Sequence, residues 1–252
     1  MAKNPNTRVG KAKSVKQDKQ DKPMTGAMKF FLAGLVAELY LVIVRRFYIA
    51  GNLEQVVAWD GYLKIFGWLG VAALALGVLL SIIWKNDKKK RILGWSVTAA
   101  GVFLAVASFG IRWNMNTLTL FTVLVLAAML LGILWSLYDR ECALSLTMLG
   151  ISLVLLWVCR NHGASIYSGL YVKIVAVLWI VALIVVTLLA KQQKLVKLIP
   201  AKADLMPIYA SCVISCVALL AAIFSTVIAY YAMWALAIVV FGLAVYYTVK
   251  QL

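Results

Sequence analysis

The chain has 252 residues, of which 64% are hydrophobic and only 13% are charged. Soluble domains contain about 45 to 50% apolar residues, and one core cannot bury so large an excess, so the composition excludes an ordinary soluble protein. The net charge of +16 comes from 25 Lys and Arg against 9 Asp and Glu. Such a charge on a soluble protein would suggest nucleic-acid binding, so its meaning depends on where the basic residues lie. We expect an all-α integral membrane protein.

The first 29 residues are polar and basic and show no hydrophobic periodicity. They include eight Lys and Arg residues and only two acids, Asp18 and Asp21. Such a composition cannot bury enough apolar surface to offset the entropy of ordering the chain. The sequence therefore predicts a disordered basic tail over 1–29, followed by a polytopic transmembrane domain over 30–252.

Eight apolar stretches follow the tail, each close to the roughly 20 residues that a helix needs to cross a bilayer. They are 30–50, 62–84, 92–111, 118–138, 142–159, 170–190, 205–224 and 227–249. Only Ser225 and Thr226 separate the last two. An unbroken helix over 205–249 would be about 67 Å long at 1.5 Å per residue, which exceeds any bilayer, so we expect a turn there and eight transmembrane helices in all.

The basic residues predict the orientation of these helices. If the tail is cytoplasmic, 19 of the 25 Lys and Arg residues fall on the cytoplasmic side. The positive-inside rule then places both termini in the cytoplasm. This bias, the few Cys residues and the lack of an N-glycosylation motif favour a bacterial plasma membrane.

Two loops carry patterns typical of short helices. Asn52 and Gln55 form a capping box before an apolar stripe that ends at Gly61, which predicts a short helix lying flat on the outer surface. Lys and apolar residues mix over 191–199 and stop at Pro200, which predicts an interfacial helix on anionic lipid. Besides the bilayer itself, we expect anionic headgroups as partners of the basic inner loops, at Lys85, Lys88, Lys89, Lys90, Arg91, Lys191, Lys194 and Lys197.

A short pattern recurs in the two halves of the chain. Tyr-Leu-Lys-Ile at 62–65 and Tyr-Val-Lys-Ile at 171–174 each open a span, at an offset of 109 residues. The segments 30–138 and 142–249 could therefore be two four-helix repeats of the same orientation, an arrangement that some transporters use with a site between the halves. The alternative is that apolar helices with basic loops resemble one another by composition alone.

Glu38 is the only acid within any predicted span, so it must be neutral, paired or beside water. It could be a proton or cation site with Arg45, Lys64 or Lys173 as its partner, or a hydrogen-bonded group that fixes helix packing. Lys64 and Lys173 lie near the outer interface. Their side chains could simply extend to water, or the pair could attract an anionic substrate.

Small residues on two spans predict close helix contacts rather than ligand binding. They are Ser211, Cys212, Ser215 and Cys216 on the seventh span, and Gly101 and Ala105 on the third. No cluster of His, Cys and acids has metal-ligand spacing, and no cofactor motif or catalytic motif is present, so we assign no metal, cofactor or catalytic residue.

The sequence leaves two functions open. One is a secondary transporter or channel-like protein for a small solute or ion, with Glu38 and the matched Lys pair facing a water-filled route. The other is a non-catalytic scaffold or accessory protein that binds a protein partner or anionic lipid through its basic cytoplasmic face. An enzyme is disfavoured because no nucleophile and base have recognisable spacing.

Overall fold

A computed structural model describes residues 6–85, 87–163, 168–192 and 205–251. Within these ranges the chain is helical and contains no strand. The helices are α1 (Asn6–Val44), α2 (Leu53–Ile83), α3 (Lys88–Trp113), α4 (Thr117–Leu137), α5 (Arg140–His162), α6 (Ser168–Lys191), α7 (Met206–Phe224) and α8 (Thr226–Gln251). A π-helical turn, Arg45–Ile49, follows α1 directly.

The predicted number of long apolar helices is confirmed for the part of the chain that the structure describes. Eight helices there are long and apolar enough to span a membrane, from Met24–Ile49, which includes the end of α1 and the π-helical turn, to Thr226–Val249 in α8. The turn expected between the last two is also present, because Ser225 has an extended backbone with φ −150° and ψ 130°. The chain is thus compatible with a polytopic membrane protein.

Helix α2 differs from its predicted form. The capping box is present, with the backbone N–H of Asn52 donating to Gln55 Oε1 at 3.2 Å. The prediction of a separate flat helix that ends at Gly61 is wrong, because α2 continues without a break to Ile83. A single Gly costs a helix only about 1 kcal/mol relative to Ala, and the long apolar stretch that follows favours continued helix.

Helix α1 begins earlier than expected. Its backbone is helical from Asn6, whereas composition predicts a tail without regular structure over 1–29. Lys, Gln and Ala, which have high helix propensity, are frequent there, and Pro23 is the only proline between Asn6 and Val44. The candidate span begins just after this proline, at Met24. The cytoplasmic placement of the segment stays a prediction.

The structure divides into two compact units. Unit 1 comprises Met1–Gly34 and Leu126–Leu252, and unit 2 comprises Leu35–Val125. These bounds differ from the candidate repeats 30–138 and 142–249, so the internal duplication stays a prediction. The interfacial helix predicted over 191–199 lies outside the described residues except for its first two residues.

In unit 2, α2 and α3 pack antiparallel with their backbones in contact. A Cβ atom added to Gly101 would lie 2.5 Å from the backbone nitrogen of Leu74, and one added to Gly77 would lie 2.5 Å from that of Thr98. Only glycine allows such an approach. Around this pair, a buried apolar cluster is formed by Leu41, Val44, Tyr48, Leu63, Ala107, Ile111 and Leu118.

In unit 1, α5 packs against α6, α7 and α8 and supplies much of the core. Leu149 and Leu156 of α5 are fully buried, together with Leu219 of α7. The apolar start of α1 contacts the end of α4, where Phe30 covers Gly132. Polar bonds add to this packing, since Trp179 Nε1 donates to Ser152 Oγ at 3.0 Å.

The variant Gly101→Ala should destabilise the protein by about 1 to 3 kcal/mol, because the new methyl group meets the backbone of α2, which cannot move aside. Gly61→Ala is the matched control, since a Cβ there has nothing within 4 Å and gains helix propensity. Thermal unfolding in detergent should give a lower midpoint for the first variant only. Equal midpoints would show that α2 and α3 are not in backbone contact.

Candidate functional site

Glu38 lies near the middle of the candidate span of α1. It is about 21 Å from Met24 and about 17 Å from Ile49 along the helix axis. The residue is half-buried, and its Oε1 atom is buried without a hydrogen-bond partner. A charged carboxylate in this position lacks the compensation that buried charges require.

The expected basic partners do not pair with Glu38 in unit 2. Arg45, in the π-helical turn, and Lys64, on α2, are both exposed. The ion pairs of Lys90 with Asp87 and of Arg112 with Asp60 do not involve Glu38. Glu38 therefore stands without a counter-charge in its own unit.

Many other polar side chains in the spans form hydrogen bonds within their own helix. Ser and Thr hydroxyls repeatedly donate to the carbonyl oxygen four residues earlier, as Thr98 does to Gly94 at 2.9 Å and Ser152 does to Met148 at 2.7 Å. Such bonds let a hydroxyl lie in an apolar helix bundle without a partner helix. Besides Glu38, the buried side-chain atom left without a bond among the described residues is Ser215 Oγ.

Two residues after Glu38, Tyr40 forms a polar contact that the sequence did not reveal. Its hydroxyl lies 2.8 Å from Ser108 Oγ on α3, and Ser108 also donates to the carbonyl of Leu104 at 2.6 Å. The Tyr40 ring meets Phe66 and Phe103 edge-to-face. This network fixes α1 against α3 beside the unpartnered acid.

A second polar network, which the sequence did not reveal either, joins three helical segments in unit 2. Arg112 Nε donates to Asp60 Oδ1 at 2.9 Å, and the buried Tyr48 interacts with the same carboxylate. The sequence could have indicated this ion pair, because an acid and a base lie at adjoining ends of two consecutive antiparallel spans. Their side chains are each about 40% exposed, so the ion pair contributes at most about 1 kcal/mol.

Lys173, on α6 in unit 1, has different surroundings from Lys64. It lines a partly enclosed cavity of about 310 Å³ together with Cys159, Gly163 and the turn between α7 and α8 at residues 222–226. At the same end of α5, the guanidinium of Arg160 lies 4.2 Å from the centre of the Tyr230 ring. His162 is the last residue of α5 and is half-buried.

The small residues expected at helix contacts lie in the packed interior. Gly101 contacts Leu74 and Gly70 of α2, and the backbone of Ala105 lies against Gly70. On α7, Ser211, Cys212 and Ser215 are buried, whereas Cys216 is half-buried. The two thiol sulfurs are 4.0 Å apart. Within the described ranges, no group of three or more His, Cys, Asp or Glu residues could hold a metal ion.

The basic loop after α2 is described only in part. Lys85 and Arg91 are exposed, and Lys90 forms an exposed ion pair with Asp87 at 3.2 Å. Lys191, at the end of α6, is exposed as well. The side chains of Lys88 and Lys89, and the whole of Lys194 and Lys197, lie outside what the structure describes.

No protein family, no curated protein and no solved structure matches this chain significantly.

Removing Ser108 should cost more than removing the Tyr40 hydroxyl. Ser108→Ala leaves that hydroxyl, which is half-buried, without its partner, at about 1 to 3 kcal/mol, whereas after Tyr40→Phe the serine keeps its bond to Leu104. Chemical unfolding of both variants and of the double variant in detergent measures the difference. Equal losses in the two single variants would contradict the arrangement.

Proposed function

We propose that this chain is a polytopic integral membrane protein that carries a small solute or ion across a bacterial plasma membrane, with both termini in the cytoplasm. Eight long apolar helices support the membrane placement. Their outward side chains are apolar, and Val36, Ile238 and Phe241 are each 71% exposed. Water would disfavour so much exposed apolar surface, whereas lipid tails cover it.

The proposal of transport rests on Glu38. Its buried Oε1 has no hydrogen-bond partner, although serine and threonine hydroxyls in the same spans bond to their own helices. A group that only fixed helix packing would be expected to bond a neighbouring helix, as Tyr40 bonds Ser108. Ionisable groups in the middle of a membrane often bind a transported ion or relay protons. We assign Glu38 as the proton or cation site.

The cavity beside Lys173 supports an anionic solute. It has the size of a site for a small molecule, and Lys173, which lines it, is exposed. Arg160 adds positive charge at the same end of α5. Cations at the entrance of a cavity raise the local concentration of anions.

A parallel pair of four-helix repeats fits this proposal. The turn before α4 ends at Asn116 and the turn before α8 ends at Ser225, and a threonine then starts each helix, at Thr117 and Thr226. The residues that end α3 and α7 at these turns, Asn114 and Ser225, both have extended backbones. This likeness in local geometry adds to the recurrence at Lys64 and Lys173.

Glu38→Gln should abolish proton-coupled flux while the protein remains folded, because the amide cannot release a proton. The measurement uses proteoliposomes with an entrapped pH dye, a potassium diffusion potential, and a panel of small anions such as chloride, phosphate and carboxylates. Glu54→Gln is the matched control, since Glu54 is exposed in the first turn of α2. Wild type and control should acidify the lumen, and Glu38→Gln should lose most of this rate.

Unchanged flux in Glu38→Gln would remove Glu38 from the mechanism. If wild-type vesicles acidify no faster than empty vesicles with every anion tested, the chain does not move solutes by proton coupling. Circular dichroism and the thermal midpoint of each variant must match the wild type for either result to count.

The second candidate function is a scaffold that binds a partner through its basic face. The observation in its favour is that the backbone of α1 is helical from Asn6, so the basic segment continues into the first span without a break in the helix. Anionic headgroups could bind the same face at Lys85, Arg91 and Lys191, which are exposed.

Deletion of residues 1–24 distinguishes the two functions. For a scaffold, the deletion should abolish capture of a protein partner in a crosslinking pull-down while membrane insertion is retained. For a transporter, flux in proteoliposomes should persist. An unchanged set of crosslinked proteins after the deletion would contradict the scaffold.

A further inference from the structure

A groove runs along one face of α2, away from its backbone contact with α3. It has a volume of about 630 Å³ and is lined by Gly61, Lys64, Ile65, Trp68, Leu69 and Ala72. These positions follow helical periodicity and extend for about 16 Å along the helix axis. The groove is therefore a narrow apolar strip with a single cation near one end.

The groove is open within its own unit. Ile65, Trp68 and Leu69 are 57%, 61% and 53% exposed, although they lie in a strongly apolar helix. The Trp68 ring forms one wall, where it meets Phe109 of α3 edge-to-face at 6.1 Å. Lys64 is exposed and forms no ion pair with any residue that the structure describes.

The length of α2 places Lys64 at the level of lipid headgroups. Nineteen residues separate it from Ile83, the last residue of α2, which corresponds to about 29 Å. This matches the roughly 30 Å of a bilayer's hydrocarbon core. With Ile83 at one boundary of that core, the Lys64 ammonium reaches the other. The groove then runs from Lys64 toward the membrane centre.

We propose that this groove is a binding site for an anionic phospholipid. The lipid phosphate pairs with the Lys64 ammonium, and one acyl chain lies along Ile65, Trp68, Leu69 and Ala72. Gly61 leaves room for the headgroup next to the lysine, since a Cβ there would have nothing within 4 Å.

Charge favours a lipid over a second copy of the chain. If two copies packed this face together around a twofold axis, each would bring its Lys64 to the contact, and the two like charges would repel in an apolar setting. An anionic lipid instead brings a negative phosphate to the depth of Lys64. Its flexible acyl chain then lies at the depth of the apolar wall of the groove.

Native mass spectrometry of the detergent-solubilised protein tests the site. Phosphatidylglycerol and phosphatidylcholine with identical acyl chains are titrated separately. The wild type should bind phosphatidylglycerol more tightly than phosphatidylcholine. Lys64→Gln should lower the affinity for phosphatidylglycerol about fivefold and leave the affinity for phosphatidylcholine unchanged. Lys64→Arg should retain the preference. Gly61→Leu should lower the affinity for both lipids, because the leucine side chain fills the groove without meeting other protein atoms.

Arg46→Gln is the control for loss of a cation, because Arg46 is also exposed in unit 2 but does not line this groove. It should keep the wild-type affinities. Equal affinities of wild type and Lys64→Gln would overturn the proposal, as would an equal loss in Arg46→Gln. A dimer in light scattering that Gly61→Leu dissociates would assign the groove to a second copy and also overturn it.

Discussion

Backbone contact between α2 and α3 is the constraint on which unit 2 depends. Glycines at 70, 77 and 101 remove the side chains that would hold the two helices apart. With α3 fixed on α2 in this way, Arg112 meets Asp60 at one end of the pair. The polar networks of unit 2 follow from small residues that carry no chemistry of their own.

The same contact determines which face of α3 is left for α1. Ala107 and Ile111 bury against the cluster that contains Leu41 and Val44, and Ser108 reaches Tyr40. Apolar helices satisfy their own backbone bonds, so their association depends on close packing and a few interhelical bonds. Glu38 is exceptional in this setting because it lies beside such a bond and makes none through Oε1.

Hydropathy and charge were sufficient to predict the helix count and the turn at Ser225. The count and the turn both follow from the lengths of the apolar stretches. The end of the flat helix at Gly61 could not be predicted correctly, since one glycine does not determine whether a helix stops. The contacts of Tyr40 and Asp60 depend on the rotation of each helix about its axis. Hydropathy over a whole span carries little information about that rotation.

The paired lysines show why matching sequence does not fix matching roles. Lys64 and Lys173 follow a tyrosine at the same spacing, yet one lies on an open apolar groove and the other borders a cavity lined by a helix turn. The difference comes from their neighbours. α2 has its backbone contact with α3 on another face, which leaves the Lys64 face open within unit 2, whereas Lys173 shares a cavity with the turn between α7 and α8. If the halves arose by duplication, the packing around each lysine has diverged more than the local sequence has.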